Sequence, residues 1–201
     1  MEAILHAGLP MEIRAVISNR PDAKGLDTAK SAGVATEVVD HKAYPNREEF
    51  DRALMQCIDR YQPDFVVLAG FMRILTPGFI EHYPQRIVNI HPSLLPAFPG
   101  LHTHRQALAA GAQVHGATVH LVTPVLDHGP ILIQAGVPVR ADDTEDSLAE
   151  RVLKEEHRIY PQALRWLAEE RISVTGDVVR LDGQDVSHIE TLFQVGRDSA
   201  Q

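Results

Sequence analysis

Asn89 and His91 stand two residues apart in the segment Asn89-Ile90-His91-Pro92-Ser93-Leu94-Leu95-Pro96-Ala97-Phe98-Pro99-Gly100-Leu101-His102-Thr103-His104. Side chains alternate along a strand, so the two share one face, here at a strand's C-terminal end. An amide beside an imidazole suits carbonyl chemistry. The amide N–H can stabilise a developing oxyanion, and the imidazole can shuttle a proton near neutral pH. Pro92, Pro96, Pro99 and Gly100 stiffen the loop that follows. The competing reading is a polar strand end carrying a surface histidine. Asp127 lies in Leu126-Asp127-His128-Gly129-Pro130, a turn by composition. A carboxylate beside His91 would orient the imidazole and raise its pKa. Nothing local joins the two, and Asp127 also reads simply as a turn residue.

Other polar residues carry weaker signals. His102 and His104 have no cysteine or carboxylate cluster at ligand spacing, and a structural metal site wants four ligands, so no metal is expected. One or both are expected instead to pack or hydrogen-bond at the start of the next helix. Cys57 falls on the apolar stripe of a helix and reads as a buried structural thiol. Glu156 and His157 sit in a charged helix, where a solvated face is the default.

The elements around these residues alternate. Ile13–Ser18 and Thr36–Val39 read as strands, with a helix over Gly25–Gly33 between them. In Arg47–Tyr61, Phe50, Ala53, Leu54, Cys57, Ile58 and Tyr61 follow helical spacing. Asp64–Ala69 is a continuous apolar run, expected as a strand buried on both faces. Arg86–Ile90, Gly116–Val122 and Ile131–Val139 are further strands. Asp143 or Thr144 caps a long helix through Glu169, with a kink expected at Pro161. Arg171–Leu181 reads as a hairpin turning at Thr175-Gly176-Asp177. Met1–Gly8 has the pattern of a helix body with no strand before it. The alternation predicts an α/β domain with a mostly parallel twisted sheet flanked by helices. Ligands then bind at the carboxyl ends of the strands, after Ala69, Ile90 and Val122.

Composition narrows the function classes. The 201 residues suit a single domain, 1–201, with an irregular tail from about 184. A net charge of −8 lacks the footprint of a nucleic-acid binder or a polybasic membrane protein. The longest apolar run, Phe65–Met72, is far short of the roughly 20 residues that span a bilayer. The start has no signal-peptide pattern. The single cysteine permits no intrachain disulfide, so a cytoplasmic protein is expected.

At NIHPSLLPAFPGLHTH and LDHGP the sequence resembles the folate-dependent formyltransferases. The likeness runs from about Ile13 through Leu181, and weakly back to Met1. LAGFMRIL at Leu68–Leu75, HGATVH at His115–His120 and KEEHRIYP at Lys154–Pro161 appear in register. The GLHTH continuation separates it from formyltetrahydrofolate deformylases, and the loop after SLLP from methionyl-tRNA formyltransferases. The resemblance implies a Rossmann-like fold and a catalytic trio of Asn89, His91 and Asp127. The implied reaction moves a formyl group from 10-formyltetrahydrofolate to the amine of 5′-phosphoribosylglycinamide in purine synthesis, without metal or covalent enzyme intermediate. Asn89 and His91, the latter held protonated by Asp127, would stabilise the formyl oxygen.

The resemblance also implies folate contacts at Arg47, at Met72, Arg73, Ile74 and Leu75, at Asn89, and at Thr123 and Asp127 in the loop Thr123–Gly129. Nucleotide-substrate contacts are implied at Met1, Glu2 and Glu156. By the same resemblance the family's opening strand and Gly-Ser-Asn phosphate loop are expected to be missing before Met1, with only Met1 and Glu2 aligning with that loop's tail. The SLLP turn implies a cis Leu95–Pro96 bond. Small-molecule substrates and a monomer or homodimer are expected. A folate- or nucleotide-binding protein without catalysis, and a transferase with another amine, stay open as alternatives.

Overall fold

The computed structural model describes residues 1–186 and 193–195 and divides the chain into two units, Met1–Ile87 and Val88–Gln201. The first unit opens with a short helix, α1 (Glu2–Leu5), less than the eight-residue pattern predicted. There follow β1 (Ala15–Ser18), α2 (Lys24–Ser31), β2 (Ala35–Val38), a 3₁₀ turn at His41–Ala43, α3 (Arg47–Asp59), β3 (Val66–Val67) and α4 (Pro77–His82). β1 and β2 pair in parallel from Ala15 opposite Ala35 to Ser18 opposite Val38. α2 is the crossover between them, and it buries Leu26 and Ala29.

α3 forms where helical spacing predicts it. The Asn46 side chain accepts from the Glu49 N–H at 2.8 Å and satisfies one of the free donors of the first turn. Phe50, Leu54, Cys57 and Ile58 are its buried face, so Cys57 is the buried thiol expected. Asp64–Ala69 differs from expectation: only Val66–Val67 is a strand, and it is half-exposed rather than buried on both faces. Among the described residues β3 is an edge strand, so one of its long sides has no ladder partner. Its Val66 N–H donates to the Arg86 carbonyl at 2.8 Å.

The second unit contains β4 (Ile87–His91, whose first residue closes the first unit), α5 (Thr103–Ala109), β5 (Val114–Leu121), β6 (Ile131–Pro138), α6 (Glu145–Ala168), β7 (Ile172–Thr175), β8 (Val178–Leu181), β9 (Gln184–Asp185) and β10 (Phe193–Val195). The order is β4–β5–β6–β10. β4, β5 and β6 are antiparallel neighbours, and β10 joins β6 in parallel. Together with parallel β1 and β2 this is the α/β architecture the alternation predicts; the sheet expected to be mostly parallel carries β4, β5 and β6 as its antiparallel members. α6 packs on β5 and β6 and buries Leu148, Val152, Ile159, Ala163 and Leu164.

Thr144 is the cap of α6. Its side chain accepts from the Ser147 N–H, and the Ser147 hydroxyl accepts from the Thr144 N–H. Asp143 instead holds Arg151 through two bonds of 2.7 and 2.8 Å. The helix continues through Pro161. Proline removes one helical donor there, and packing of the apolar face on both sides keeps the helix together. β7 and β8 form the expected hairpin, and β9 adds a third strand. Within the tail expected to be irregular, 184–185 and 193–195 are strand; positions 187–192 and 196–201 lie outside the described residues.

Gly116 of β5 faces Gly136 of β6. A Cβ added at Gly116 would overlap the Ala135 carbonyl oxygen. Gly116→Ala is therefore expected to destabilise the fold by about 1–3 kcal/mol, lowering Tm by about 2–12 °C. Gly78→Ala, in open space at the start of α4, should leave Tm unchanged or slightly raised. Thermal melts of both variants check this, and an unchanged melt for Gly116→Ala would show that the ladder yields.

Candidate active site

Register assembles the site. Asn89 of β4 lies opposite His120 of β5, and His91 lies opposite Thr118. Thr118 lies in turn opposite Gln134 of β6. Directly opposed residues share a sheet face, so these five polar side chains form one stripe. His91, Thr118 and His120 are buried. Buried polar groups need partners, and the loop after β4 supplies them from its backbone. The Thr118 hydroxyl donates to the Ser93 carbonyl (2.7 Å) and accepts from the Leu95 N–H (3.0 Å). The Gln134 amide donates to the Leu95 carbonyl (2.9 Å) and to the Thr118 oxygen (2.8 Å). Leu95–Pro96 is cis, as expected.

That loop returns to His91. The His91 Nε2–H donates to the Phe98 carbonyl at 3.0 Å. Its Nδ1 then faces Asp127 Oδ2 at 3.6 Å, with both side chains nearly buried. At that distance the pair is an electrostatic contact, slightly too long for a hydrogen bond. The same Asp127 oxygen accepts from the Gly100 N–H at 2.8 Å. Asp127 has φ +51, a left-handed conformation that Asp tolerates better than most residues. Strain of this kind gathers at functional sites. Two residues on, a Cβ at Gly129 would overlap the Leu121 carbonyl oxygen, so the turn passes against the end of β5 only as glycine.

Asn89 has a lighter hold. Its Nδ2 lies 3.5 Å from His120 Nε2, while His120 Nδ1 lies 2.9 Å from the Leu121 carbonyl. Burial lowers the His120 pKa and keeps the ring neutral. His104 and His115 pack edge to face with ring centroids 5.2 Å apart. They thus pack at α5 as expected for the first of them, and His102 sits at its N-terminus with φ +58.

Beside Pro92, a cleft of about 470 Å³ is lined by His104, Asp146, Glu150, Leu153 and Glu156. Burial raises the Glu156 carboxyl above its ordinary value. Glu156 is thus half-buried at a cleft rather than on a plain solvated face. Thr123 lies in the loop before Asp127, and its hydroxyl donates to the Val125 carbonyl at 3.2 Å.

In the first unit Arg47 is exposed at the start of α3, and Met72 and Ile74 are exposed while Leu75 is buried. Arg73 lies over the Phe50 ring at 5.1 Å. Buried Asp51 accepts from the Thr76 N–H at 2.7 Å, so α3 anchors the end of the Met72–Leu75 segment. Met1 stands just before α1 of this unit and Glu2 is its first residue, whereas Glu156 belongs to the second unit.

A formyl transferase family model matches residues 1–164, both units included. The chain belongs to the formyl transferase family. It is 54% identical over 172 residues to the phosphoribosylglycinamide formyltransferase of Escherichia coli (strain K12), covering 86% of this chain and 81% of that one. The solved structure of the phosphoribosylglycinamide formyltransferase from Coxiella burnetii is 48% identical, with a TM-score of 0.87, covering 92% of this chain and 88% of that one. The Homo sapiens trifunctional purine biosynthetic protein adenosine-3 is 47% identical over 157 residues, 78% of this chain. This chain spans only 16% of that longer protein.

The polar stripe of the second unit holds more than Asn89 and His91, and in the first unit Asp51 is a further buried polar residue. His120, Thr118, Gln134 and Asp51 emerge only from the structure. The signal for two of them lies in HGATVH: on a strand, Thr118 and His120 must share one face, and polar residues on a central strand call for polar partners.

Burial pushes the His115 imidazole down to about 4. Unfolded, it titrates at about 6.5. Between those values the unfolded chain binds the proton and the folded one does not, so stability falls as pH drops through that window. Burial lowers His104 and His120 as well, which steepens the fall. Urea unfolding at pH 7.5 and pH 5 should show His115 contributing a loss of about 2 kcal/mol. His115→Leu should lose correspondingly less between the two pH values. Equal losses would mean that His115 titrates normally in the folded protein.

Proposed function

We propose that this chain transfers a formyl group from N10 of 10-formyltetrahydrofolate to the amine of 5′-phosphoribosylglycinamide, as a cytoplasmic enzyme of purine synthesis. The observation that carries this reading is the convergence of an amide, an imidazole and a carboxylate from β4 and the loop after β5, within a chain of the formyl transferase family. The identity to phosphoribosylglycinamide formyltransferases supports the choice of amine. The match of one family model across both units supports reading residues 1–201 as one formyltransferase domain.

The amine attacks the formyl carbon, and the carbonyl oxygen becomes an oxyanion. Asn89 donates an N–H to it. A positioned donor of this kind is worth about 10²–10³-fold in rate. His91 has its Nε2–H engaged by Phe98, so Nδ1 is the nitrogen that exchanges a proton, and Asp127 is its neighbour. His91 stabilises the formyl oxygen through the field of the His91–Asp127 pair and takes part in proton transfer. Asp127, directly or through water, takes the proton that the attacking amine loses. N10 accepts a proton delivered by way of His91 as the C–N10 bond breaks, leaving tetrahydrofolate and the N-formyl product. No metal takes part in this scheme.

The folate is assigned to Arg47, the Met72–Leu75 segment, Asn89, Thr123 and Asp127. The main chain of Met72, Arg73, Ile74 and Leu75 reads the pteridine edge, and anchoring by Asp51 supports that use. The nucleotide substrate is assigned to the cleft beside Pro92, where Glu156 receives ribose hydroxyls, and to Met1 and Glu2. The protein acts as a monomer or homodimer. No helix among the described residues is long and apolar enough to cross a membrane.

Formyl-transfer assays with both substrates test the reading. Asn89→Ala, His91→Ala and Asp127→Asn should each lower kcat by about 10²–10⁴-fold, while KM for the folate changes less than about threefold. Losses confined to KM would make these residues pocket walls rather than chemical participants. Full kcat with another amine acceptor, and none with phosphoribosylglycinamide, would reassign the substrate.

A further inference from the structure

We propose that His120 is a positioning residue that fixes the orientation of the Asn89 amide, so that an N–H rather than the side-chain carbonyl meets the oxygen on which charge develops. The inference rests on the formyl-transfer reading above, in which Asn89 is the oxyanion donor. An asparagine amide has two orientations differing by a half turn about its last bond. They exchange a double donor for an acceptor at nearly the same place. One orientation stabilises an oxyanion, and the other repels it. A catalytic asparagine therefore needs something that distinguishes its nitrogen from its oxygen.

The stripe supplies one such group. His120 stands directly across the ladder from Asn89. Its Nδ1 lies 2.9 Å from the Leu121 carbonyl, which can only accept, so Nδ1 carries the hydrogen. In the neutral ring Nε2 then has a lone pair and no hydrogen. That lone pair faces Asn89 Nδ2 at 3.5 Å. It can accept from the amide nitrogen, whereas the amide oxygen in that place would meet lone pair against lone pair. The second hydrogen on the same nitrogen is left for the substrate. Burial supports the neutral state: His120 is 2% exposed. The titratable neighbours acting on it are Asp127, which favours protonation, and His91, which opposes it. The ladder irregularity between β5 and β6 falls at Val119/His120. Bulges of this kind re-aim a side chain beside a site.

The Leu121 carbonyl thus sets the tautomer of His120, His120 sets the flip of Asn89, and Asn89 presents its donor. Every link is a contact between neighbours on one rigid strand pair. His120 itself touches no reacting atom in this scheme.

The test is a double-mutant cycle on kcat with four proteins: wild type, Asn89→Ala, His120→Leu and the double variant. His120→Gln is added because its side-chain oxygen restores an acceptor. His120→Leu should lower kcat by about 10–10²-fold, the scale of a misplaced catalytic group, with KM for the folate nearly unchanged. In the Asn89→Ala background the same change should cost less than about twofold, because its target is gone. His120→Gln should recover at least half of the loss on a logarithmic scale. If His120→Leu costs as much without Asn89 as with it, His120 does not act through Asn89 and the proposal fails. If Asn89→Ala leaves kcat unchanged, the oxyanion role of Asn89 fails, a distinct outcome. Should His120→Leu not fold, His120→Gln against His120→Asn, whose oxygen is one methylene shorter, carries the same comparison. Equal kcat for those two and wild type would also overturn the proposal.

Discussion

The buried polar stripe across β4, β5 and β6 is the constraint on which the site depends. Asn89, His91, Thr118, His120 and Gln134 occupy a sheet face that would ordinarily be apolar. Each buried polar group left without a partner costs about 1–3 kcal/mol. The loop from Pro92 to Gly100 meets that demand with main-chain groups at Ser93, Leu95 and Phe98. The Ser93 hydroxyl adds a bond to the Ala97 carbonyl, and Thr103 adds one to the Pro92 carbonyl, both 2.6 Å. The loop's shape is consequently dictated from below, by the sheet, as much as by its own prolines.

The same arrangement brings the carboxylate in. Once Gly100 is placed by the loop, its N–H is available to Asp127, and the carboxylate lies against His91. The left-handed backbone at Asp127 and the close pass of Gly129 against Leu121 belong to one turn. A turn forced into that conformation is held because its side chain has a fixed acceptor role inside. The Asp127 position is thus determined by two loops and one strand end, none of which would define it alone.

Much of this was legible in the sequence. α3, α6 and the strands β4 to β6 follow from spacing and caps, because their apolar faces are long enough for the period to be unambiguous. Asn89 and His91 follow from alternation at a strand end. Asp127 was readable only through resemblance, since no local pattern links positions in separate loops. The Asp64–Ala69 run misled because apolar content suggests burial but says nothing of how many neighbours a strand finds, and β3 stays half-exposed. Thr118, His120 and Gln134 escaped for a different reason. HGATVH places Thr118 and His120 on one face, but their partners are set by cross-strand register, which a single chain read in order does not contain. Asp51 sits among the charged residues of α3 and looks solvated until Thr76 is seen to need a partner.

Hydrogen-bonding capacity separates the residues that hold the site from those that work in it. Thr118 is saturated: its hydroxyl gives one bond and receives two, which is all a hydroxyl can do. Replacing any of its partners would leave a buried polar atom stranded, so it suits scaffolding. Asn89 has four hydrogen-bonding positions and among the described residues commits one, at the long distance of 3.5 Å. Asp127 commits one oxygen to a main-chain N–H and meets His91 beyond bonding distance. A fold that satisfied these two groups as fully as Thr118 would be more stable and would have nothing left to offer a reacting carbonyl or a departing proton. Incomplete satisfaction at Asn89 and Asp127, beside complete satisfaction one residue pair away, is what makes this face of the sheet a site rather than a core.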